Sequence, residues 1–275
     1  MYVGEDTFGG LRSPHLVDTP AGSRVPLHRG FIPAGQHNAG KEFLVHLVES
    51  QRDRDLARDL LNRMYDWRGY GSNHALDPAD LSTTFAVSMD EEIISTLSLR
   101  VDSGNGLAAD KTFRDVLRET RKSSNASLCE LTKFACRPSN ESRILLASMF
   151  HTIFIFGTEK YACTDLFIEV NPRHIRFYEA MLGFEKLGEL RTNEGVDAPS
   201  QLMRLKVADI ANNIRRHVGR DDPAAMRSLY PNFLSEEEEQ AVRAAVRNRD
   251  EAPAKAGIQT ETSVRREAVP ALRAA

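Results

Sequence analysis

The chain has 275 residues, 41% of them hydrophobic, which is enough for one large domain or two small ones with a core. Its formal net charge of −3 argues against a general nucleic-acid binder, which needs an excess of Lys and Arg. No apolar run approaches the roughly 18–20 residues of a membrane span, and the N-terminus lacks the basic-then-apolar order of a signal peptide.

The two ends of the chain differ in composition from its middle. Residues 1–40 are rich in Gly, Pro, Arg and His without periodicity, which predicts a flexible N-terminal leader. The spacing of the histidines there fits no compact metal site, so no metal is expected. A folded domain is predicted over 41–212 and a C-terminal helical extension over 213–250, with a helix capped by Ser235. Residues 251–275 predict a disordered tail.

The three cysteines, Cys129, Cys136 and Cys163, are odd in number and have no CxxC spacing. Both features favour a reducing compartment over a disulfide framework. We therefore expect a cytoplasmic protein in which these side chains are small, buried hydrophobic groups.

The first predicted elements of the domain are a strand over 42–48 and a helix over 51–65. Ser50 is a suitable N-cap for this helix, and its apolar residues share one face. The run of Trp, Arg, Gly, Tyr and Gly at 67–71 ends it. Taken by itself, Trp67 is typical of a packing residue at the edge of a core.

A hairpin and a second helix follow. Strands are predicted over 83–89 and 93–101, and Arg100 closes the second of them. Asp77 and Asp80 precede the hairpin in a segment typical of a turn. A helix is predicted over 110–122, and its spacings of three and four place five cations on one stripe: Lys111, Arg114, Arg118, Arg121 and Lys122.

The middle of the chain carries the strongest pattern. Leu128–Cys136 alternates as a strand, with Leu128, Glu130, Thr132 and Phe134 expected on one face. An apolar helix is predicted over 144–156 and a strand over 165–170, ended by a helix N-cap at Asn171 and a C-terminal cap at Gly183. This order predicts at least one parallel pair of strands.

Two motifs in this region carry a resemblance to a known family. The run from Asn171 to Phe184 resembles the C-terminal half of the GNAT acyltransferase fold, whose last helix ends near a Gly-Phe pair. Glu130-Leu-Thr-Lys-Phe134 is similar to the Glu-x-Ser-Arg-Phe segment of acyl-homoserine lactone synthases, which are GNAT-related. Together they resemble the FeeM-type long-chain N-acyl amino acid synthases over residues 43–209.

The resemblance implies a GNAT-like α/β fold with a mixed central sheet flanked by helices. It implies an enzyme that moves a long-chain fatty acyl group from acyl carrier protein (ACP) to the α-amine of an amino acid. No tightly bound cofactor is implied, because the phosphopantetheine arm of ACP presents the donor.

The resemblance also implies an acceptor site. In the lactone synthases the equivalents of the 51–65 helix and its following loop help to form this site. The resemblance therefore implies a role in acceptor binding for Arg63, Trp67 and Tyr70. An Asp-x-x-Asp pair in those enzymes helps to bind a cationic acceptor, and the resemblance implies the same role for Asp77 and Asp80. Arg100 occupies the place of a lactone-synthase arginine and is implied in substrate binding.

The amide-forming chemistry requires a base and a proton donor. Glu130, a carboxylate on a mid-sheet strand among apolar neighbours, is expected to have a raised pKa and to act as general base. The alternative is an ion pair of Glu130 with Lys133 or Arg100 that serves packing only. The resemblance implies that Tyr178 protonates the leaving thiolate, and a core tyrosine is the alternative. Lys133 would either orient the groups around Glu130 or bind the phosphate of the donor.

The donor is inferred from the segment at 137–143. Acetyl-CoA users in this fold generally have a Gly-rich loop here that cradles the pyrophosphate. This segment contains no glycine and includes Glu141, which would repel a diphosphate. The single phosphate of ACP fits better, and the basic stripe on the 110–122 helix would dock the acidic carrier. A solvated helix face is the alternative for the stripe.

Three rival functions remain open. A lactone synthase proper would use S-adenosylmethionine, and a second rival is a CoA-dependent acetyltransferase. The third is a non-catalytic GNAT-like module that binds an acyl chain or a partner.

Overall fold

The computed structural model describes residues 24–34, 40–123, 125–137 and 143–256. Nine strands in these residues form one sheet in the order β1-β2-β3-β4-β5-β6-β9-β7, and β8 pairs with β9. The strands are β1 (Pro26–Ile32), β2 (Lys41–Leu47), β3 (Ser82–Met89), β4 (Glu92–Val101), β5 (Leu128–Cys136), β6 (Asp165–Val170), β7 (Glu185–Lys186), β8 (Arg191–Asn193) and β9 (Ala198–Lys206). The mixed sheet flanked by helices confirms the expected fold class.

The helices of the same residues are α1 (Gln51–Trp67), α2 (Asp110–Arg121), α3 (Arg143–Tyr161), α4 (Ile175–Leu182), α5 (Val207–His217) and α6 (Glu236–Ala256). The parallel pair predicted from the order of elements is β5 with β6, which α3 connects. In the described part of the chain, no helix combines the length and the apolar content that a bilayer crossing requires.

The helices cover both faces of the sheet. On one face α1 packs against Ala86 and Ala135, and α2 packs against Leu128 and Phe167. On the opposite face α3 packs against the strands from its first turn to its last. α3 is apolar nearly all round because α6 and the 3₁₀ turn at Tyr230–Asn232 pack against it in addition to the strands.

The predicted helix caps are present. The Asp53 N–H donates to Ser50 Oγ at 3.0 Å at the start of α1. Asn171 Oδ1 accepts from the Arg173 N–H at 3.2 Å, in a 3₁₀ turn that precedes α4. Gly183 ends α4 with φ of 83°, the left-handed conformation that glycine adopts without steric cost.

The predicted flexible leader is wrong for its C-terminal part, because residues 26–32 form β1, which pairs with β2. The Gly and His content that indicated flexibility serves packing instead. His28 is buried with its ring centroid 6.2 Å from that of Phe43. A Cβ on Gly30 would lie 2.2 Å from Phe43 Cζ, so the absent side chain makes room for this ring. Residues 1–23 and 35–39 lie outside the described part.

Gly30→Ala is therefore expected to destabilise the protein by about 1–3 kcal/mol, because the new methyl group overpacks Phe43. Chemical denaturation measures the change. Gly104→Ala is the matched control, since no atom lies within 4 Å of its added Cβ. Equal stability of the two variants would show that β1 is not a fixed part of the fold.

The C-terminal extension packs on the domain. Ser235 and Glu238 cap α6 reciprocally: the Glu238 N–H donates to Ser235 Oγ at 3.4 Å and the Ser235 N–H to Glu238 Oε2 at 2.8 Å. Val242 and Val246 of α6 are buried in the main core. The boundary expected at 213 falls inside α5, and α6 continues past the expected end at 250. Residues 257–275 lie outside the described part.

Candidate active site

The site is built around a gap between β5 and β6. The two strands pair over three residues and separate after Glu130, which pairs with Phe167. Beyond that point β5 continues beside β4 and β6 continues beside β9. A crevice at the carboxyl ends of parallel strands is a common place for ligand binding in α/β sheets.

A β-bulge in β5 borders the gap. Ser98 pairs with Thr132 and Thr96 with Ala135, so two β5 residues stand opposite Leu97 alone. Lys133 is one of them and has φ of 56°. A bulge interrupts the hydrogen-bond ladder and leaves a backbone group unpaired. The bulge was not visible in the sequence.

The strict alternation expected for β5 is wrong beyond the bulge. Phe134 was expected on the face of Glu130, but its ring centroid lies 6.0 Å from that of Phe150 on α3. Ala135, expected on the other face, packs against α1. The extra residue in the bulge reverses the faces of those that follow.

Glu130 is buried on the α2 face, with 1% of its surface exposed. Its Oε2 accepts the N–H of Ala108 at 2.6 Å, and the N–H of Ala109 lies 3.2 Å from both carboxylate oxygens. Burial raises the pKa of Glu130 to about 8, although the two N–H donors act in the opposite direction; the negative charge of Glu169 raises it further. This is the raised pKa that its position in the sequence led us to expect.

The alternative ion pairs of Glu130 are not formed. Lys133 Nζ binds Asp77 Oδ1 at 2.5 Å. Arg100 lies opposite Glu130 in the sheet, but its Nε donates to the Gly106 carbonyl at 2.8 Å and its Nη2 to the Asn105 carbonyl at 3.3 Å. Arg100 thus holds the turn that leads into the two N–H donors of Glu130.

The loop after α1 meets the turn after β6. Arg173 Nη2 donates to Tyr70 Oη at 2.8 Å, and its guanidinium carbon lies 5.1 Å from the centre of the Tyr70 ring. Trp67 is 68% exposed at the end of α1, so the alternative of a core-edge residue is wrong for it. Of the predicted acceptor residues, Tyr70 therefore lies at the end of β6 that borders the gap.

Tyr178 packs on α4 with its ring centroid 5.2 Å from that of Phe177. Burial raises its phenol pKa well above the usual range, and the nearby Tyr65 adds to this. The pKa of Tyr65 is raised by burial to about 12. Both phenols are therefore protonated at neutral pH, the form that a proton donor requires.

Sequence reasoning missed Tyr65 and Arg173. The first was assigned to the predicted helix 51–65 and the second to the N-cap motif at Asn171, without a role at the site. The aromatic residues clustered at the end of α1 were the available signal, since Tyr65 contacts both Tyr70 and His74 with ring centroids 5.8 and 4.8 Å apart.

Arg63 and Asp80 are exposed. Arg63 lies on the surface of α1, and Asp80 lies in the turn before β3. The structure brings Asp77 to the β5 bulge through Lys133 and leaves Asp80 at the surface. The roles of Arg63, Asp77 and Asp80 in substrate binding remain predictions.

The basic stripe on α2 is only partly a free surface. Lys111, Arg114 and Arg118 are exposed as expected. Arg121 is not, because it turns inward to Asp102 and Asp110, at 2.6 Å from each. Lys122 binds Glu119 at 2.7 Å on the surface.

The donor segment at 137–143 is described only at its ends. Arg137 Nη1 binds Glu92 Oε2 at 2.5 Å, and Arg143 Nη2 donates to the Met226 carbonyl at 2.8 Å. Residues 138–142 lie outside the described part. Across the described ranges, no three His, Cys, Asp or Glu side chains converge as a metal site would require.

An apolar cavity of about 40 Å³ lies on the α3 face of the sheet. Leu131 of β5 and Leu166 of β6 line it, beside the last residue pair before the strands separate. Phe150 and Phe154 line it from α3. Phe167, on the opposite face of β6, packs against α2.

Comparisons with known proteins identify relatives of this chain. The family model "N-acyl amino acid synthase FeeM" matches residues 57–206. The solved structure of FeeM, an N-acyl amino acid synthase from uncultured soil microbes, is 25% identical with a TM-score of 0.55; the match covers 62% of this chain and 94% of that one. The search of curated protein sequences gave no match.

More distant structures show lower similarity. The AHL synthase LasI is 13% identical with a TM-score of 0.48, covering 72% of this chain and 99% of that one. A probable acetyltransferase from Staphylococcus epidermidis is 16% identical with a TM-score of 0.44, covering 60% and 98%. The family model spans more than half of the chain, and the chain therefore belongs to the FeeM family of N-acyl amino acid synthases.

Proposed function

We propose that the protein transfers a long-chain fatty acyl group from the phosphopantetheine thioester of ACP to the α-amine of an amino acid. The observation that carries this proposal is a buried carboxylate, Glu130, with a pKa of about 8 at the point where β5 and β6 separate. A base of this pKa is suited to accept a proton from an ammonium group near neutral pH.

The reaction follows from the groups around the gap. The acceptor amine loses a proton to Glu130 and attacks the thioester carbonyl carbon. The backbone at the Lys133 bulge stabilises the negative charge that develops on the carbonyl oxygen. The C–S bond then breaks, Tyr178 supplies the proton to the departing thiolate, and the second proton that leaves the nitrogen as the amide forms restores the Tyr178 phenol. The products are an N-acyl amino acid and the free thiol of the carrier.

The contact between Lys133 and Asp77 favours an amino acid over the acceptor of the lactone synthases. A cationic acceptor such as S-adenosylmethionine needs unpaired carboxylates near the site. Here the ammonium group of Lys133 already neutralises Asp77 at 2.5 Å. Arg173 at the end of β6 offers a positive charge, which suits the carboxylate of an amino acid.

The proposal is tested by incubating the purified protein with long-chain acyl-ACP and a mixture of all the common amino acids. Mass spectrometry is expected to detect an N-acyl amino acid together with free carrier thiol. A product that forms only with S-adenosylmethionine would support the lactone-synthase alternative. An intact thioester with every acceptor would contradict acyl transfer and favour a binding module.

Carrier docking on α2 is proposed from its three exposed cations, Lys111, Arg114 and Arg118, because ACP is acidic along its docking helix. The double variant Arg114→Glu and Arg118→Glu is expected to raise KM for acyl-ACP roughly tenfold and to weaken its salt dependence. Steady-state kinetics at several salt concentrations measure both effects. Activity with a small pantetheine thioester is expected to stay unchanged.

Arg215→Glu with Arg216→Glu is the matched control for this test. Both residues are exposed on α5, so the change in net charge is the same. An equal rise of KM in the control would mean that general charge, and not the α2 surface, governs the encounter. An unchanged KM in the α2 variant would place the carrier elsewhere.

A further inference from the structure

The segment after α5 contributes to the lining of the apolar cavity. Most of the cavity is lined by strands β4, β5, β6 and β9 and by α3, but Tyr230 and Phe233 also line it. These two residues follow the end of the family match at residue 206. The cavity thus has a wall that the family model does not include.

This wall is held in place by hydrogen bonds and ring contacts. Tyr230 Oη donates to the Leu182 carbonyl at 2.7 Å, at the end of α4. Phe233 stacks on His151 of α3, with ring centroids 4.8 Å apart. The N–H of Leu234 donates to His151 Nδ1 at 3.0 Å. Both aromatic rings are therefore fixed to helices that the sheet supports.

The free space in the cavity, about 40 Å³, is small beside a long acyl chain. A chain that enters past Leu131 and Leu166 has to displace side chains as it advances. Hydrophobic pockets discriminate a single methylene group by roughly 10- to 200-fold. A fixed wall at the end of such a cavity is therefore expected to select chains by their length.

We propose that Tyr230 and Phe233 end the acyl-chain cavity and set the longest saturated acyl chain that the protein accepts. The proposal rests on the proposed function, because it takes the cavity to be the place of the transferred acyl group. It adds a specificity determinant from a segment outside the matched family region.

Two substitutions change the depth of the cavity in opposite directions. Phe233→Ala removes a ring from the wall and is expected to admit longer chains. Gly157→Ala adds a methyl group to the cavity lining and is expected to exclude the longest chains. The added Cβ would lie 3.5 Å from Leu99 Cδ2 and 3.7 Å from Cys163 Sγ, which is ordinary contact distance, so this variant is expected to fold.

The test is a competition among acyl-ACPs whose saturated chains differ by one ethylene unit. Mass spectrometry gives the product distribution, which is independent of the total activity. We expect the preferred length to move down by at least one ethylene unit in Gly157→Ala and up in Phe233→Ala. The ratio between neighbouring chain lengths is expected to change by about tenfold or more.

A second measurement separates this inference from the proposed function. Saturated free fatty acids of the same lengths are tested for the thermal stabilisation that they give to each protein. Suppose that the parent forms no amide, but the fatty-acid length that stabilises each variant most still moves in the expected direction. Acyl transfer is then contradicted, and the role of Tyr230 and Phe233 in limiting the cavity is supported. If the parent makes amides and both variants keep its chain-length profile, the proposed role of Tyr230 and Phe233 is contradicted and acyl transfer is supported.

Val246→Ala is the control for general loosening of the C-terminal segment. Val246 is buried in α6 and does not belong to the cavity lining. We expect it to lower stability and to leave the length profile unchanged. An equal shift of the profile in Val246→Ala and Phe233→Ala would overturn the assignment to Phe233.

Discussion

Glu130→Gln is expected to lower kcat by roughly 10²–10⁴-fold, because it removes the base while keeping the shape of the side chain. The amide oxygen can still accept the N–H groups of Ala108 and Ala109, so the turn before α2 is expected to remain in place. Steady-state kinetics and thermal melting measure the two properties separately. A folded variant with full activity would remove Glu130 from the mechanism.

The pH profile gives an independent check on Glu130. With a pKa of about 8 in the folded protein, kcat/KM is expected to rise with pH and to level off above that value. Glu169→Gln is the matched control: removing its charge lowers the pKa of Glu130, so the rise moves to lower pH while activity is retained. A profile that does not respond to Glu169→Gln would indicate a different titrating group.

The same pKa affects stability. Because burial raises the folded-state pKa of Glu130 above its usual value of 4.5, the folded protein holds its proton more tightly than the unfolded chain. Its contribution to stability is present below about pH 4.5 and is lost as the pH rises through about 8. The unfolding free energy of the parent is therefore expected to fall relative to that of Glu130→Gln over this range. Parallel pH curves for the two proteins would contradict the shift.

Acyl-ACP is expected to exceed acyl-CoA of the same chain length by roughly 10–10³-fold in kcat/KM, the range over which charge steering changes association rates. The segment 137–143 lacks the glycines of a pyrophosphate cradle, and Glu141 opposes a diphosphate. The exposed cations of α2 add attraction for an acidic carrier.

Salt provides the control for the donor comparison. The advantage of acyl-ACP is expected to shrink as ionic strength rises, because screening weakens long-range attraction. The rate with acyl-CoA is expected to change less. Equal values of kcat/KM for acyl-ACP and acyl-CoA at low salt would contradict selectivity for the carrier and support the acetyltransferase alternative.

Local signals in the sequence were enough for the central elements of the fold. Leu128–Cys136 and Asp165–Val170 have the predicted bounds, because the alternating pattern marks the first strand and the Asn-Pro helix start marks the end of the second. β1 was missed because its glycine and histidine have a role only in contact with Phe43, on another strand. Composition alone could not show that contact.

The site was less accessible to sequence reasoning than the fold. Burial of Glu130 and its raised pKa followed from the strand pattern. Its partners did not, since Ala108 and Ala109 contribute only backbone N–H groups, which any residue except proline carries. The pairing of Arg121 with Asp102 and Asp110 was hidden for another reason: helical spacing places a side chain on a face and does not say whether it bends back to a neighbouring strand.

The contact between the first strand and the last helix has a consequence for synthesis of the protein on the ribosome. Arg249 of α6 donates to the Val25 carbonyl at 2.8 Å, across 224 positions in the chain, and also binds Glu49. The packing of α6 against β1 and α3 is thus completed only after residue 249 has emerged. Until then the nascent chain exposes the surfaces of β1 and α3 that α6 later covers, and exposed apolar surface of this kind makes unfinished chains prone to aggregation and dependent on chaperones.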